Sequence, residues 1–266
     1  MRIGIVARPD LPEAVKLVRK ALRLLSKVDV KLAPEIAIKL GKRGVPIADM
    51  AVDAIVTIGG DGTVLVAQQQ APVIPVLGIN MGGTGFLADV SPSDAPKALR
   101  GLLAGKLPIE ERMRLATEVA GKRLPDALNE AVVRAASPSR MLMFQILVNG
   151  KIAERTRGDG VILTTPTGST AYALAAGGPI IDPNLEVFAI VPICTSRPRA
   201  VPLVVSAGSR IEVELLRPER KALVVIDGQF TLEVDPSEKL LFYRSDKPAK
   251  FFKFGGEFYQ KVREKL

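Results

Sequence analysis

A carboxylate set among glycines stands at Thr57-Ile58-Gly59-Gly60-Asp61-Gly62-Thr63, after a short apolar run and before a segment with helical character. Glycines let a backbone turn sharply and let a ligand come close to its amides. Amides at a helix start favour phosphate oxygens. An acid in that company is out of place as an anion binder. Asp61 makes sense as an acceptor of a hydroxyl proton, or as a partner for a metal ion. The plain alternative is a tight turn with Asp61 as helix N-cap. The pattern lacks the spaced glycines of a dinucleotide loop and the lysine of a P-loop.

A second glycine segment runs from Gly78 through Asn80, Gly82, Gly83 and Gly85 to Phe86 and Leu87. It too follows a buried-looking run, so both loops should lie at the carboxyl edge of one sheet, where open α/β sheets bind ligands. Core packing is the alternative for Phe86. The third segment is Arg157-Gly158-Asp159-Gly160, followed after a strand by Thr165-Pro166-Thr167-Gly168-Ser169-Thr170-Ala171-Tyr172. Five hydroxyl side chains in those last eight residues offer many donors and acceptors. Ordinary capping of a Ser/Thr-rich loop is the alternative. It leaves Asp159 and the breaker Gly177-Gly178-Pro179 without a reason.

Composition removes several chemistries. The chain has no histidine, so imidazole-based hydrolases and most zinc sites are excluded. A metal, if used, should be a hard cation such as magnesium, held by carboxylates, water and substrate phosphates. Cys194 is the single cysteine, which excludes an internal disulfide and fits a reducing cytoplasm. The expectation for Cys194 is a buried, small apolar side chain. The formal net charge is +9, but the positive residues are scattered and there is no Trp for base stacking. A solvated basic surface attractive to polyanionic substrates is therefore expected, and no nucleic-acid partner. No apolar run reaches the ~20 residues of a membrane helix, and no signal peptide is expected.

Elements that could position these residues are readable by period. Arg2–Ala7, Val28–Leu32, Ala54–Ile58 and Val73–Ile79 read as strands, with helices over Pro12–Leu25 and Gly62–Gln70 between them. This rhythm predicts an α/β N-terminal domain with a mostly parallel, doubly wound sheet over residues 1–95. A helix over Ser93–Leu103, capped by Ser93, follows. From residue 96 to 244, β-rich runs predict an antiparallel, sandwich-like C-terminal domain. The runs are Ala116–Val119, Asn129–Arg134, Phe144–Val148, Gly160–Thr164, Val187–Ile193, Ile211–Leu216, Ala222–Ile226, Leu232–Val234 and Leu240–Tyr243. Asn149-Gly150 predicts a hairpin between two of these runs. Residues 245–266, ending in a helix over Glu257–Leu266, are expected to pack back on the first domain.

Taken in order, the motifs resemble the NAD kinase family. They are GGDGT at 59–63, the GFL segment at 82–87, Glu111-Arg112-Met113, Asn129-Glu130, Arg157-Gly158-Asp159-Gly160, TPTGSTAY at 165–172, and Asp227-Gly228. The resemblance implies an α/β domain and a β-rich domain with the substrate between them. It implies transfer of a phosphoryl group from ATP, another nucleoside triphosphate or polyphosphate, with magnesium, to the 2′-hydroxyl of the adenosine ribose of NAD.

Asp61 would be the catalytic residue, and Gly59, Gly60, Gly62 and Thr63 the phosphate cradle. Asn129 and Glu130 would hold the adenosine part. Thr170, Ala171 and Tyr172 would frame the adenine, Phe86 would close another wall, and Thr167 would also contact the cofactor. Asp159 would bind the nicotinamide end, and Arg157 beside it would also contact the dinucleotide. Asp227 would bind the substrate too, although a plain hairpin turn explains it equally. Ala175 stands where some relatives carry a polar contact, and Pro192–Pro198 varies between branches. The family forms homodimers and homotetramers. A sugar-phosphate or lipid kinase with a similar loop, and a non-catalytic NAD(P) sensor, are the competing readings.

Overall fold

A computed structural model describes residues 1–83, 85–137, 140–196, 200–217, 220–255 and 258–266. Thr84, Arg197, Pro198 and Glu257, each inside a segment singled out above, lie outside the described residues. The chain divides into two units: Met1–Glu111 with Ala249–Leu266, and Arg112–Pro248.

In the first unit a six-stranded sheet runs in the order Asp29–Leu32, Arg2–Ala7, Ala54–Gly59, Val76–Asn80, Ala249–Phe252, Ile109–Arg112. Pairings from Asp29–Leu32 across to Ala249–Phe252 are parallel. Every residue of Ala54–Gly59 is buried, as expected for a strand with helices on both faces. The strand order reverses at Arg2–Ala7, with its successor in sequence on one side and Ala54–Gly59 on the other. That reversal opens a crevice at the carboxyl ends of these two strands. Arg8 and Gly59-Gly60 stand there.

The boundary differs from the expected one at residue 95. Helix Ala95–Leu103 buries Ala95, Ala98, Leu99 and Leu102 and packs on helix Pro12–Leu24, so it belongs to the first unit. Its start is held by Ser91, whose Oγ accepts the Asp94 N–H at 3.1 Å, rather than by Ser93. The fourth strand begins at Val76, because Val73 is exposed beside Pro72 and Pro75. A six-residue helix, Pro34–Lys39, was not expected; it is too short to show a period. The final helix spans Phe258–Lys265.

The second unit stacks two antiparallel six-stranded sheets. One contains Leu142–Val148, Ile211–Leu215, Leu240–Arg244 and Leu115–Val119; the other contains Val187–Ile193, Gly160–Thr164, Glu130–Ala135 and Ala222–Ile226. Phe144 and Phe242 from the first meet Val133, Leu163 and Phe188 from the second in a common core. The outer face of the second sheet is covered as well: Val132, Ile162 and Val191 bury against Ala173 and Ile181. Coverage on both faces explains why Gly160–Thr164 is buried throughout.

The Asn149-Gly150 hairpin forms, with both residues at positive φ. Its second strand is Lys151–Gly158, not Gly160–Thr164, which belongs to the other sheet. Lys151–Gly158 is polar and largely exposed at a sheet edge, so alternation did not reveal it. Cys194 is exposed with φ 47°, contrary to the expected burial. It stands directly after strand Val187–Ile193 ends.

Candidate active site

The loop Gly59–Thr63 lies at the strand reversal of the first unit. Helix Asp61–Gln70 begins directly behind it, with Gly60 as N-cap and no side chain capping its amides. Its first-turn N–H groups and the helix dipole therefore point into the crevice. Thr63 stacks its hydroxyl over Gly59, where a Cβ would lie 2.2 Å from Thr63 Oγ1. A Cβ at Gly60 or Gly62 would meet no described atom within 4 Å, and neither residue has a positive φ. Gly62 is also helical, where glycine costs up to ~1 kcal/mol relative to alanine. Neither turn geometry nor packing demands these two glycines. What they provide is bare backbone at a helix start.

Asp61 is the first residue of that helix, not its cap. Its Oδ2 accepts the Phe86 N–H at 2.7 Å, and its Oδ1 accepts those of Leu87 and Ala88 at 3.0 and 3.1 Å. The Met81 N–H donates to the Gly59 carbonyl at 2.7 Å, and Asn80 Oδ1 accepts from Gly82 N at 3.1 Å. The two glycine loops are thus one hydrogen-bonded assembly at the carboxyl edge. Phe86 is half-buried and packs on Phe258, ring centroids 6.4 Å apart. Arg8 was missed from the sequence. Its side chain lies against Gly59, and its guanidinium pairs with Asp10 at the same edge. A charged residue directly after the first strand of an α/β sheet is the signal that could have found it.

The second unit carries its own cluster. Antiparallel register sets Glu130 opposite Thr164, and Ile226 opposite Ala131. The start of one strand, the end of the next and the Asp227-Gly228 turn therefore share one sheet edge. Asp227 has φ 49° and Gly228 φ 65°, so the hairpin turn is real. Yet Asp227 Oδ2 accepts the Leu128 N–H at 2.7 Å, and Oδ1 accepts those of Asn129 and Glu130 at 2.8 and 3.0 Å. Asp61 and Asp227 play the same part: each carboxylate, set beside a strand end, gathers three consecutive amides of another loop. Through these bonds Asp227 fixes the backbone of Asn129-Glu130.

Glu130 is 8% exposed, and its Oε2 has no partner among the described residues. Burial, and then the nearby Asp227 charge, push its pKa up to about 8. Burial raises the Asp227 pKa too, against the pull of its three amides and Arg114.

TPTGSTAY splits by role. Thr165 Oγ1 donates to the Leu128 carbonyl at 2.6 Å, and Ser169 Oγ donates to Pro166 O at 2.7 Å. These hydroxyls bind the loop to its surroundings. A Cβ at Gly168 would lie 2.3 Å from the Asn129 oxygen, so only glycine lets this loop close on Asn129. Thr167 is buried, Thr170 and Ala171 are half-exposed and Tyr172 is 47% exposed. Arg157 and Asp159 do not join this edge. The Asp159 carbonyl accepts the Ala135 N–H at 3.0 Å, at the far end of the strand that begins at Glu130. At the usual rise per residue that is about 17 Å away.

An α/β unit with bare amides at its strand reversal, joined in sequence to an antiparallel sandwich with a polar edge, defines a phosphate-handling, nucleotide-binding class of protein. Comparison with known families gives the particular one. The ATP-NAD kinase N-terminal domain matches residues 3–107, and the ATP-NAD kinase C-terminal domain matches residues 128–254. An NAD kinase of Methanothermobacter thermautotrophicus is 45% identical, over all of this chain and 96% of that protein. A solved NAD kinase from Archaeoglobus fulgidus in complex with ATP superposes with a TM-score of 0.81 at 32% identity, covering 99% of both chains. A yeast NADH kinase complexed with NADH shares the fold, with a TM-score of 0.91 at 23% identity over 99% of this chain and 86% of that one. The chain belongs to the NAD kinase family. Of the readings weighed from the sequence, this selects NAD kinase over a sugar-phosphate or lipid kinase and over a sensor.

Proposed function

We propose that this chain transfers the terminal phosphoryl group of ATP to the 2′-hydroxyl of the adenosine ribose of NAD. A bond forms from that oxygen to the γ-phosphorus, the β–γ bridging bond breaks, ADP leaves, and the hydroxyl proton passes to a base or to solvent. The observation that carries this reading is the pair Gly60 and Gly62, open, unstrained and set at an uncapped helix start. Their amides would cradle donor phosphates, with Gly59 and Thr63 shaping the loop and Arg8 within reach to add charge. Such positioning and neutralisation is most of what a loose phosphoryl-transfer transition state requires.

Magnesium fits as an ion carried on the donor phosphates. Among the described residues no three carboxylate, thiol or imidazole groups gather into a cage, and the ion commonly keeps its waters beside one or two carboxylates. Bound there, it would neutralise charge on the donor. The Asp61 carboxylate organises the loop through its three amides. Those amides take one position on Oδ2 and two on Oδ1, so Oδ2 keeps a lone pair that can accept a hydroxyl.

Asn129 and Glu130 would hold the adenosine part, with Thr167, Thr170, Ala171 and Tyr172 framing the base. Arg157 and Asp159, at the other end of the strand, suit the nicotinamide end of an extended dinucleotide. A homodimer or homotetramer in the cytoplasm is proposed from the resemblance.

Purified protein with NAD, magnesium and a panel of donors should form NADP, read by a dehydrogenase specific for NADP. Chelation should abolish the signal. No product with ATP, other nucleoside triphosphates or polyphosphate would refute the proposal.

A further inference from the structure

The second glycine loop has two sides, and Asp61 holds only one. Asp61 takes its N–H groups at Phe86, Leu87 and Ala88. On the carbonyl side, Lys261 Nζ donates to the Phe86 oxygen at 3.3 Å and pairs with the Asp89 carboxylate. Both partners of that ion pair are well covered, with side chains 14% and 19% exposed. Water and salt therefore screen it less than a surface pair. Phe258, one turn earlier on the same helix, packs its ring on Phe86. The helix is delivered by Ala249–Phe252, which joins the sheet beside Val76–Asn80, with Gln68 Nε2 donating to the Lys250 carbonyl at 3.3 Å.

Part of this loop borders open space. An open cavity of about 390 Å³ lies there, lined by Asn80, Met81, Gly82, Asp89, Ser91 and Lys261 among others. Gly82 and Gly83 adopt φ of 132° and 93°, conformations that favour glycine. Polar contacts from Asp61 and Lys261 therefore add to the packing of Phe86 on Phe258 in placing it. Lys261 also lies beyond the family match, which ends at residue 254.

We infer that the C-terminal helix Phe258–Lys265 is a second latch on the glycine loop, and that Lys261 is a positioning residue for phosphoryl transfer. The inference rests on the proposed reaction for its kinetic consequence, but not for its structural one.

Lys261→Met should lower kcat by about tenfold or more, the scale of a displaced cradle, with a much smaller change in KM for NAD. Amide exchange at Phe86–Ala88 should quicken while the core strands keep their protection. Lys261→Arg should recover most of both. If Lys261→Met does not fold, Asp89→Asn, which removes the charge and keeps the shape, should reproduce both effects. Wild-type turnover and loop protection in Lys261→Met, or in Asp89→Asn where that is the variant that folds, overturns the inference. So does an arginine variant as impaired as the methionine one. If the unsubstituted protein makes no NADP from any donor, the reaction is wrong. Exchange at the loop then decides the latch by itself.

Discussion

Asp227 Oδ1 accepts the backbone N–H of Glu130 at 3.0 Å, and the Glu130 carboxyl lies buried with that same carboxylate nearby. One acid places the other and also makes its ionisation costly. The site thereby presents a carboxyl, held up to a pKa of about 8 by burial first and Asp227 second, whose Oε2 has no partner among the described residues. A group able to donate as well as accept suits a ribose hydroxyl.

Glu130 therefore makes stability depend on pH. Unfolded, it titrates near its ordinary 4.5; folded, near 8. Between those values the folded protein binds the additional proton, so its stabilising contribution is full below the lower value. It is lost as pH rises through the upper one. Asp227, also raised, acts in the same direction. Thermal melts from about pH 5 to about pH 9 should show a decline on the order of a few kcal/mol, flattened in Glu130→Gln. An unchanged slope in that variant would assign the effect elsewhere.

Asp61→Asn should lower kcat by about 10² or more. It should also destabilise the protein by about 2 kcal/mol, since an amide cannot replace a carboxylate that accepts three N–H groups. A residue acting only as a general base would show the first loss without the second. Steady-state kinetics and denaturant melts on one preparation separate the two roles.

Gly62→Ala should stabilise the fold by about 0.5–1 kcal/mol, because the site is helical and has room for a methyl group. Turnover should nevertheless fall by about tenfold or more, because that methyl stands where a phosphate would approach. A stabler variant with full activity would remove Gly62 from the cradle.

Gly168→Ala puts a methyl 2.3 Å from the Asn129 oxygen. It should cost about 1–3 kcal/mol and push Asn129-Glu130 out of place. KM for NAD should rise more than kcat falls. An unaltered KM would mean that the approach of these loops serves folding alone.

The parallel α/β unit was legible because Ala54–Ile58 and its neighbours are continuous apolar runs punctuated by glycine, and a strand covered on both faces writes that pattern locally. The sandwich showed itself by alternation, except where an edge strand such as Lys151–Gly158 has no face to bury. The glycine loops stood out as candidate phosphate contacts because only backbone without side chains can crowd a ligand. Sequence by itself thus determined the two-part architecture and the family. Only the tertiary structure decided what the acids do. Asp61 reaches residues 86–88 and Asp227 reaches residues 128–130, and no local pattern encodes which distant amides a carboxylate will gather. It likewise parted Asp159 from Glu130 through strand register, and brought Lys261 to a loop that follows the fourth strand. Those relationships depend on chain paths that meet in space, and spacing along the chain carries no trace of them.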